Sequence, residues 1–178
     1  MRIISGKHKG KRIIAPRKLP VRPTTDMAKE ALFNILNNKY YFEDIAVLDL
    51  FAGTGNISFE FASRGTTELI AVDADYGCIK FIEKISKELD LGISTVKGDA
   101  FGFLEKSDSK ADVVFADPPY DLTLEEFSKI PAIVFKNRIL KEDGMLIIEH
   151  SKHMKLSHLD HFSKERRYGG SVFSFFLN

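Results

Sequence analysis

Apolar residues return along this chain with two alternating periods. Short runs rich in Val, Ile, Leu and Phe (46–51, 68–73, 93–98, 112–117 and 144–150) alternate with longer stretches whose apolar positions recur every three or four residues (56–64, 76–90, 100–106 and 122–139). The short runs predict buried strands and the longer ones amphipathic helices, the last interrupted at Pro131. Ahead of them, Pro23-Thr24-Thr25-Asp26 sets hydroxyl caps before an acid. Met27, Ala28, Ala31, Leu32, Ile35 and Leu36 follow at helical spacing, which predicts a helix to about Asn38. Alternating strands and helices specify an α/β fold, a mainly parallel sheet covered on both faces. The tail breaks this rhythm. Residues 159–167 and 171–177 read as two strands joined through Tyr168-Gly169-Gly170, with Phe173, Phe175 and Leu177 on one face. The expectation is a seven-stranded, mostly parallel sheet that ends in an antiparallel hairpin.

The length, 178 residues, is that of one domain, and 44% hydrophobic with 29% charged residues suits an ordinary globular core. No apolar run approaches the roughly 18 residues of a membrane span, and the basic N-terminus has no apolar signal core. A cytoplasmic protein without membrane contact is expected. A lone cysteine, Cys78, excludes an intrachain disulfide and a cysteine-based zinc site; its helical setting, Cys78-Ile79-Lys80-Phe81-Ile82, predicts a half-buried structural thiol.

The net charge of +1 hides an asymmetry. Residues 1–22 carry Arg2, Lys7, Lys9, Lys11, Arg12, Arg17, Lys18 and Arg22 and no acid, which leaves 18 basic against 25 acidic residues in the remainder. A basic arm on an acidic body points to a polyanion that meets the arm. Ile3-Ile4 and Ile13-Ile14 flank Gly6-Lys7-His8-Lys9-Gly10, the pattern of a hairpin whose tip would present Lys7, Lys9 and Lys11 to phosphates. The chain thus divides into an arm, 1–22, and a body, 23–178, within one domain.

Candidate chemistry collects at the ends of the predicted strands, where open α/β sheets bind ligands. The first strand ends in Asp49-Leu50-Phe51-Ala52-Gly53-Thr54-Gly55, whose glycines let backbone approach a ligand ahead of a helix N-terminus. The second ends in Asp73-Ala74, with the acid placed to grip two ribose hydroxyls. Ser58 stands where a dinucleotide fingerprint has its third glycine. Asp49 inside the turn would repel a pyrophosphate and attract the cationic amino-acid part of S-adenosylmethionine, which leaves a dehydrogenase as the weaker reading. The third strand ends in Asp99-Ala100-Phe101, where Asp99 could accept from an adenine amino group and Phe101 pack on its ring.

The fourth strand ends in Asp117-Pro118-Pro119-Tyr120. Two prolines stop strand pairing, and their missing N–H groups should leave the carbonyls of the turn free and stiffly aimed. Beside them stand a carboxylate and a flat ring. Acceptors with a stacking platform suit an exocyclic amine on a planar base, and the tetrapeptide resembles the signature of methyltransferases that modify such amines.

Three segments together resemble the bacterial RsmD family. They are Arg2-Ile3-Ile4-Ser5-Gly6 with Gly10-Lys11-Arg12; Arg22-Pro23-Thr24-Thr25-Asp26 with Glu30-Ala31-Leu32-Phe33-Asn34-Ile35-Leu36; and the Asp49-to-Gly55 turn with Asp117-Pro118-Pro119-Tyr120. The likeness runs nearly end to end. Met27-Ala28-Lys29, in place of a more basic stretch, and Ser58, in place of a small glycine, depart from it. The resemblance implies a Rossmann-like class I methyltransferase fold, S-adenosylmethionine as cofactor and no metal. It implies methyl transfer to N2 of a guanine in 16S ribosomal RNA, conventionally position 966. Tyr120 would stack on an unstacked guanine while Asp117 and the Pro118 carbonyl hold its amine. Arg2, Lys7, Lys9, Lys11, Arg12, Arg22 and Thr24 would face the RNA, in a 30S subunit or an assembly intermediate, and a monomer is expected.

Other readings are a DNA adenine-N6 or cytosine-N4 methyltransferase, which shares the tetrapeptide but usually carries a separate recognition region, and a non-catalytic RNA-binding assembly factor. His150, His153, His158 and His161 form two His-x2-His pairs that suggest zinc, but no cysteine assists and the pairs would not converge, so a solvated loop is the better account. Arg166-Arg167-Tyr168 suits RNA contact and ordinary strand-face charge equally.

Overall fold

The computed structural model describes residues 1–16, 19 and 24–178; Arg17, Lys18, Arg22 and Pro23, named above, lie outside them. Helix α1 (Asp26–Asn37) opens on Thr25, whose hydroxyl accepts the N–H of Ala28. A 3-10 turn (Phe42–Asp44) leads into the alternating body: β1 (Ala46–Leu50), α2 (Asn56–Ser63), β2 (Glu68–Asp73), α3 (Tyr76–Leu89), β3 (Ser94–Lys97), α4 (Ala100–Lys106), β4 (Ala111–Ala116), α5 (Leu124–Lys136) and β5 (Leu140–Ser151). The tail is the pair β6 (Phe162–Tyr168) and β7 (Ser171–Leu177).

The seven strands lie in the order β3-β2-β1-β4-β5-β7-β6. The first five are parallel, while β7 runs antiparallel to both β5 and β6. This is the Rossmann-like class I methyltransferase fold. Strand order reverses between β1 and β4, so their carboxyl ends diverge and open a crevice, the usual ligand position in such sheets.

The period of two along each strand divides the core. Val47, Val113, Phe115, Ile147, Phe173 and Phe175 pack against α1, α2 and α3, whereas Leu48, Val114, Leu146, Ile148 and Phe176 pack against α4 and α5. Phe33, Phe42 and Phe61 fill the first layer edge to face or tilted, with centroids 4.6–5.9 Å apart.

Besides shifts of a few residues at element ends, such as β5 starting at Leu140 and α5 ending at Lys136, two features differ from the periodic reading. Helix α5 runs unbroken through Pro131: a capping box of Thr123 and Glu126 starts it, and Phe127, Ile130, Pro131 and Val134 are all buried. One missing N–H is outweighed by that packed face. The first tail strand begins at Phe162, because His161 takes a left-handed conformation (φ 64°) and stacks on Phe135 at 3.8 Å.

The arm is a docked hairpin with one ladder bridge, Arg2 to Arg12. Ile3 and Ile13 are buried in the layer that holds α1. Its turn lies on the end of α2: Lys7 N–H donates to Ser63 O (2.7 Å), His8 N–H to Ser63 Oγ (3.0 Å), and Ile4 and Ser5 N–H to the Glu60 carboxylate (2.8 and 3.0 Å). Gly6 has φ 81°, and a Cβ there would fall 1.8 Å from Ser63 O, so only glycine fits. Glu60 also meets Lys29 Nζ (3.6 Å) and Arg64 Nε (2.8 Å). Lys29, at the departure from the family pattern, is thus buried and structural, with further bonds to Arg2 O (2.7 Å) and Asn56 Oδ1 (2.8 Å).

Candidate active site

The crevice between β1 and β4 holds a cavity of about 420 Å3. After β1 the chain turns sharply: Phe51 adopts φ 58°, a strained conformation for an aromatic residue, and Gly53 and Gly55 follow at φ 54° and 78°. A Cβ at Gly55 would lie 2.9 Å from Ile82 Cγ1, so this glycine lets α2 and α3 close together below the turn. Phe51, Ala52, Gly53 and Thr54 line the cavity.

Asp73 ties two turns together. Its Oδ2 accepts the Gly53 N–H (2.7 Å) and its Oδ1 the Asp75 N–H (2.8 Å), so the carboxylate at the end of β2 sets the first turn and starts α3. Asp75 caps α3 by accepting the Cys78 N–H (2.9 Å). Cys78 is buried behind this cap, and burial pushes its thiol up to about 12, so it is an inert wall.

Asp49 lies beneath the turn at 1% exposure. Its Oδ2 accepts the Ser58 hydroxyl at 2.5 Å. Ser58, the second departure from the family pattern, thereby serves the acid. Burial nonetheless raises the Asp49 carboxyl to about 7, the Ser58 bond opposing and the Asp73 charge adding to the rise. The cavity lining includes Asp49, Asp73, Asp75 and Asp117 and, among the described residues, neither lysine nor arginine. Such a lining repels phosphate and suits a positively charged nucleoside.

At the opposite lip stands the tetrapeptide. Asp117 N–H donates to Leu50 O (3.4 Å), joining the ends of β4 and β1; Pro118 is buried, and Tyr120 is 49% exposed. All four residues line the cavity. One expectation is corrected: the Pro119 carbonyl accepts the Leu122 N–H (3.2 Å), because the chain folds into a turn before α5, so the carbonyls of this turn are not all free.

The third strand end is built otherwise. Asp99 is exposed and caps α4, accepting the Gly102 N–H (2.8 Å), and neither it nor Ala100 nor Phe101 lines the cavity. Phe101 approaches edge-on to Phe51 with centroids 5.9 Å apart. The site also contains residues that no strand-end pattern marked: Asn56, whose side chain donates to Thr24 O (3.0 Å), and Thr24 itself, buried, with its hydroxyl donating to Glu149 (2.7 Å). A polar residue opening α2, the most buried helix of the chain, was the available signal for Asn56.

The remaining predicted contacts lie away from the cavity. Lys9, Lys11 and Arg12 are exposed on the hairpin, Lys7 comes within 3.9 Å of Asp90, and Arg2 pairs with Asp26 at 3.2 Å. His150 lies at the buried end of β5, as the strand pattern through residue 150 predicts, its ring nitrogens 2.8 Å from Ser174 Oγ and 2.9 Å from Ser151 O, and burial lowers its pKa. Among the described residues no three His, Cys, Asp or Glu side chains group as metal ligands, and no helix is long and apolar enough to cross a membrane.

Comparison with known proteins places this geometry. Residues 1–177 match the family model described as Conserved hypothetical protein 95, the RsmD family. The chain belongs to the RsmD family of rRNA methyltransferases. Among its relatives, the YlbH protein of Bacillus subtilis is 34% identical over 161 residues, which span 88% of this chain and 85% of that one. Ribosomal RNA small subunit methyltransferase D of Escherichia coli is 32% identical over 150 residues, 84% of this chain and 74% of that one. The solved structure of yhhF from Escherichia coli superposes with a TM-score of 0.85 at 26% identity, covering 100% of this chain and 97% of that one.

Proposed function

We propose that this RsmD-family chain transfers the methyl group of S-adenosylmethionine to the exocyclic N2 amine of a guanine in 16S ribosomal RNA. The observation that carries the reading is the meeting of Asp117-Pro118-Pro119-Tyr120 with the acid-lined glycine turn on one cavity. When bound, the cofactor supplies a methyl group on a positively charged sulfur.

The chain's residues position the two reactants. Asp49 attracts the cofactor's ammonium, and Asp73, already fixed by Gly53 and Asp75, faces the ribose hydroxyls. Tyr120 offers its exposed ring to a base drawn out of the RNA stack. Asp117 and the Pro118 carbonyl accept the amine's N–H bonds, which turns its lone pair out of conjugation toward the methyl group. With S-adenosylmethionine held by Asp49 and Asp73, its sulfonium methyl would be the group passed to the amine and S-adenosylhomocysteine would be left, while the amine's surplus proton would pass to solvent past the exposed Tyr120 lip. Alignment and charge complementarity supply the acceleration. The exposed Lys7, Lys9, Lys11 and Arg12 hold phosphates.

The test is tritiated methyl transfer to 30S particles from cells that lack the modification, with the product nucleoside identified. N2-methylguanosine from the wild type is expected. Asp117→Ala should abolish turnover with cofactor affinity within a few-fold, Tyr120→Ala should lose roughly 1–3 kcal/mol, and Tyr120→Phe should keep most activity. A methylated adenosine or cytidine, or full activity in Asp117→Ala, would refute the assignment.

A further inference from the structure

The arm's tip and the outer strand β6 are both basic, and they stand at different distances from the cavity. Helices α2 and α3 start beside the cavity, with Asn56 and Cys78 in its lining, and run away from it. The tip sits where they end: Lys7 N–H bonds Ser63 O, and Lys7 Nζ comes within 3.9 Å of Asp90, the residue after α3. Helix α2, at eight residues, is about 12 Å long, so the tip lies about that far from the cavity.

Strand β6 is placed otherwise. It is antiparallel to β7, which is antiparallel to β5, so β6 runs parallel to β5 and climbs toward the cavity end of the sheet. The register fixes how near it comes. Ala116 stands opposite Ile148, Glu149 opposite Phe173, and Phe173 opposite Arg166. Asp117, Glu149, Phe173 and Arg166 therefore form one row on one face, with Arg166 three strand spacings, about 14 Å, from Asp117. Lys164 lies on the same face about 7 Å below, its Nζ 5.4 Å from the Phe175 ring centroid. Both cations are exposed. The acid of the strand, Glu165, points to the opposite face, as does Arg167, which gives its Nε–H to Gly169 O (3.3 Å) and braces the turn.

We infer that Lys164 and Arg166 hold the RNA backbone beside the target nucleotide, while the arm's tip grips the RNA at a second, distant place. The inference rests on the RNA-methyltransferase reading above and adds where the substrate strand runs. The acid-lined cavity repels phosphate, so the backbone of a base turned into it stays outside, on a cationic rim. Two cations on one face, spaced much as successive phosphates are along a strand, supply that rim. Contacts of this kind set position without reading sequence.

Iron-EDTA tethered to a cysteine cuts RNA near the tether, and Cys78 is buried, so an added cysteine reports its own surroundings. Glu165→Cys and Lys9→Cys proteins carrying the probe are bound to 30S particles that lack the modification, and the cuts are mapped against the nucleotide that wild type methylates. Cuts from Glu165→Cys should fall within a few nucleotides of it, and those from Lys9→Cys in a separate segment. Lys164→Gln with Arg166→Gln should lower the salt slope of 30S binding by up to about two and raise KM several-fold, with S-adenosylmethionine binding unchanged. Lys164→Arg with Arg166→Lys, which keeps both charges, should retain slope and KM. Cuts from Glu165→Cys remote from the methylated nucleotide, coincident cuts from the two positions, or an unchanged slope in the neutral pair overturn the inference and leave the methyltransferase reading standing. So does a charge-keeping pair that fails as badly as the neutral one. If the neutral pair does not fold, the cleavage map alone decides. A wild type that binds cofactor and methylates no RNA overturns the methyltransferase reading and this inference with it.

Discussion

Helix α2 meets two buried carboxylates, and the protein treats them in opposite ways. Glu60 is 0% exposed and is surrounded by partners: two cations, Lys29 and Arg64, and the N–H groups of Ile4 and Ser5. Asp49, 1% exposed, receives the Ser58 hydroxyl and faces a cavity lined with further acids. The first acid is neutralised from within the fold and latches the arm to the body. The second is raised to about 7, and in the proposed function it is the one that receives a cation from outside. Burial alone therefore does not mark a functional acid; the chemistry missing around it does.

The largest expected effect is at the latch. Glu60→Gln leaves Lys29 buried and charged without its counter-ion, which costs about 3–5 kcal/mol. Denaturant unfolding should show that loss, and limited proteolysis should cut the freed arm. A variant that unfolds within about 1 kcal/mol of wild type would mean that Ile3 and Ile13, not the latch, hold the arm.

Asp49→Asn should do the reverse. Removing a buried, underpaired charge leaves stability unchanged or higher, while cofactor binding by calorimetry weakens by about 1.5–3 kcal/mol. The pH dependence follows from the same site. A folded-state pKa of about 7, above the unfolded value of about 3.9, means that the folded protein binds the proton more tightly. Its contribution favours folding below about pH 4 and is lost as pH rises to about 7. Cofactor affinity runs the other way, because binding needs the ionised form. It should rise up to about pH 7 and level off before the cofactor's own amine deprotonates near pH 8, and Asp49→Asn should flatten the rise. An unchanged pH profile in the variant would detach Asp49 from the ammonium.

The smallest effect on the fold belongs to the exposed end of the arm. Neutralising Lys7, Lys9, Lys11 and Arg12 should change stability by less than about 0.5 kcal/mol, since only exposed charges are involved. RNA binding should weaken and its salt dependence flatten by up to about four phosphate contacts, with KM raised and saturated rate kept. An unaltered salt slope would place RNA recognition elsewhere.

What the sequence disclosed follows the same division. Strands and helices were legible because burial imposes periods of two and 3.6, and the strand-end acids were legible because the sheet brings those ends together. The latch was not. Lys29, Glu60 and Arg64 count as ordinary charges in any composition, and only tertiary docking of the hairpin buries them. Asp99 was legible as a strand-end acid, but its setting was not. It sits at a strand end like Asp73, yet its Oδ2 caps α4 and it does not line the cavity, and nothing local separates the two settings. Helix α5 ran through Pro131 because tertiary packing outweighed a local breaker.

The outer strand β6 has a further consequence. An unpaired strand edge is a template on which another chain can add, and natural sheets guard against it with charge. Five consecutive exposed residues, Ser163, Lys164, Glu165, Arg166 and Arg167, cover this edge. A second copy stacking there would have to bring its own cationic strand against this one and desolvate both. The residues that resemble a handle for RNA thus also set charge against any strand that would extend the sheet at this edge.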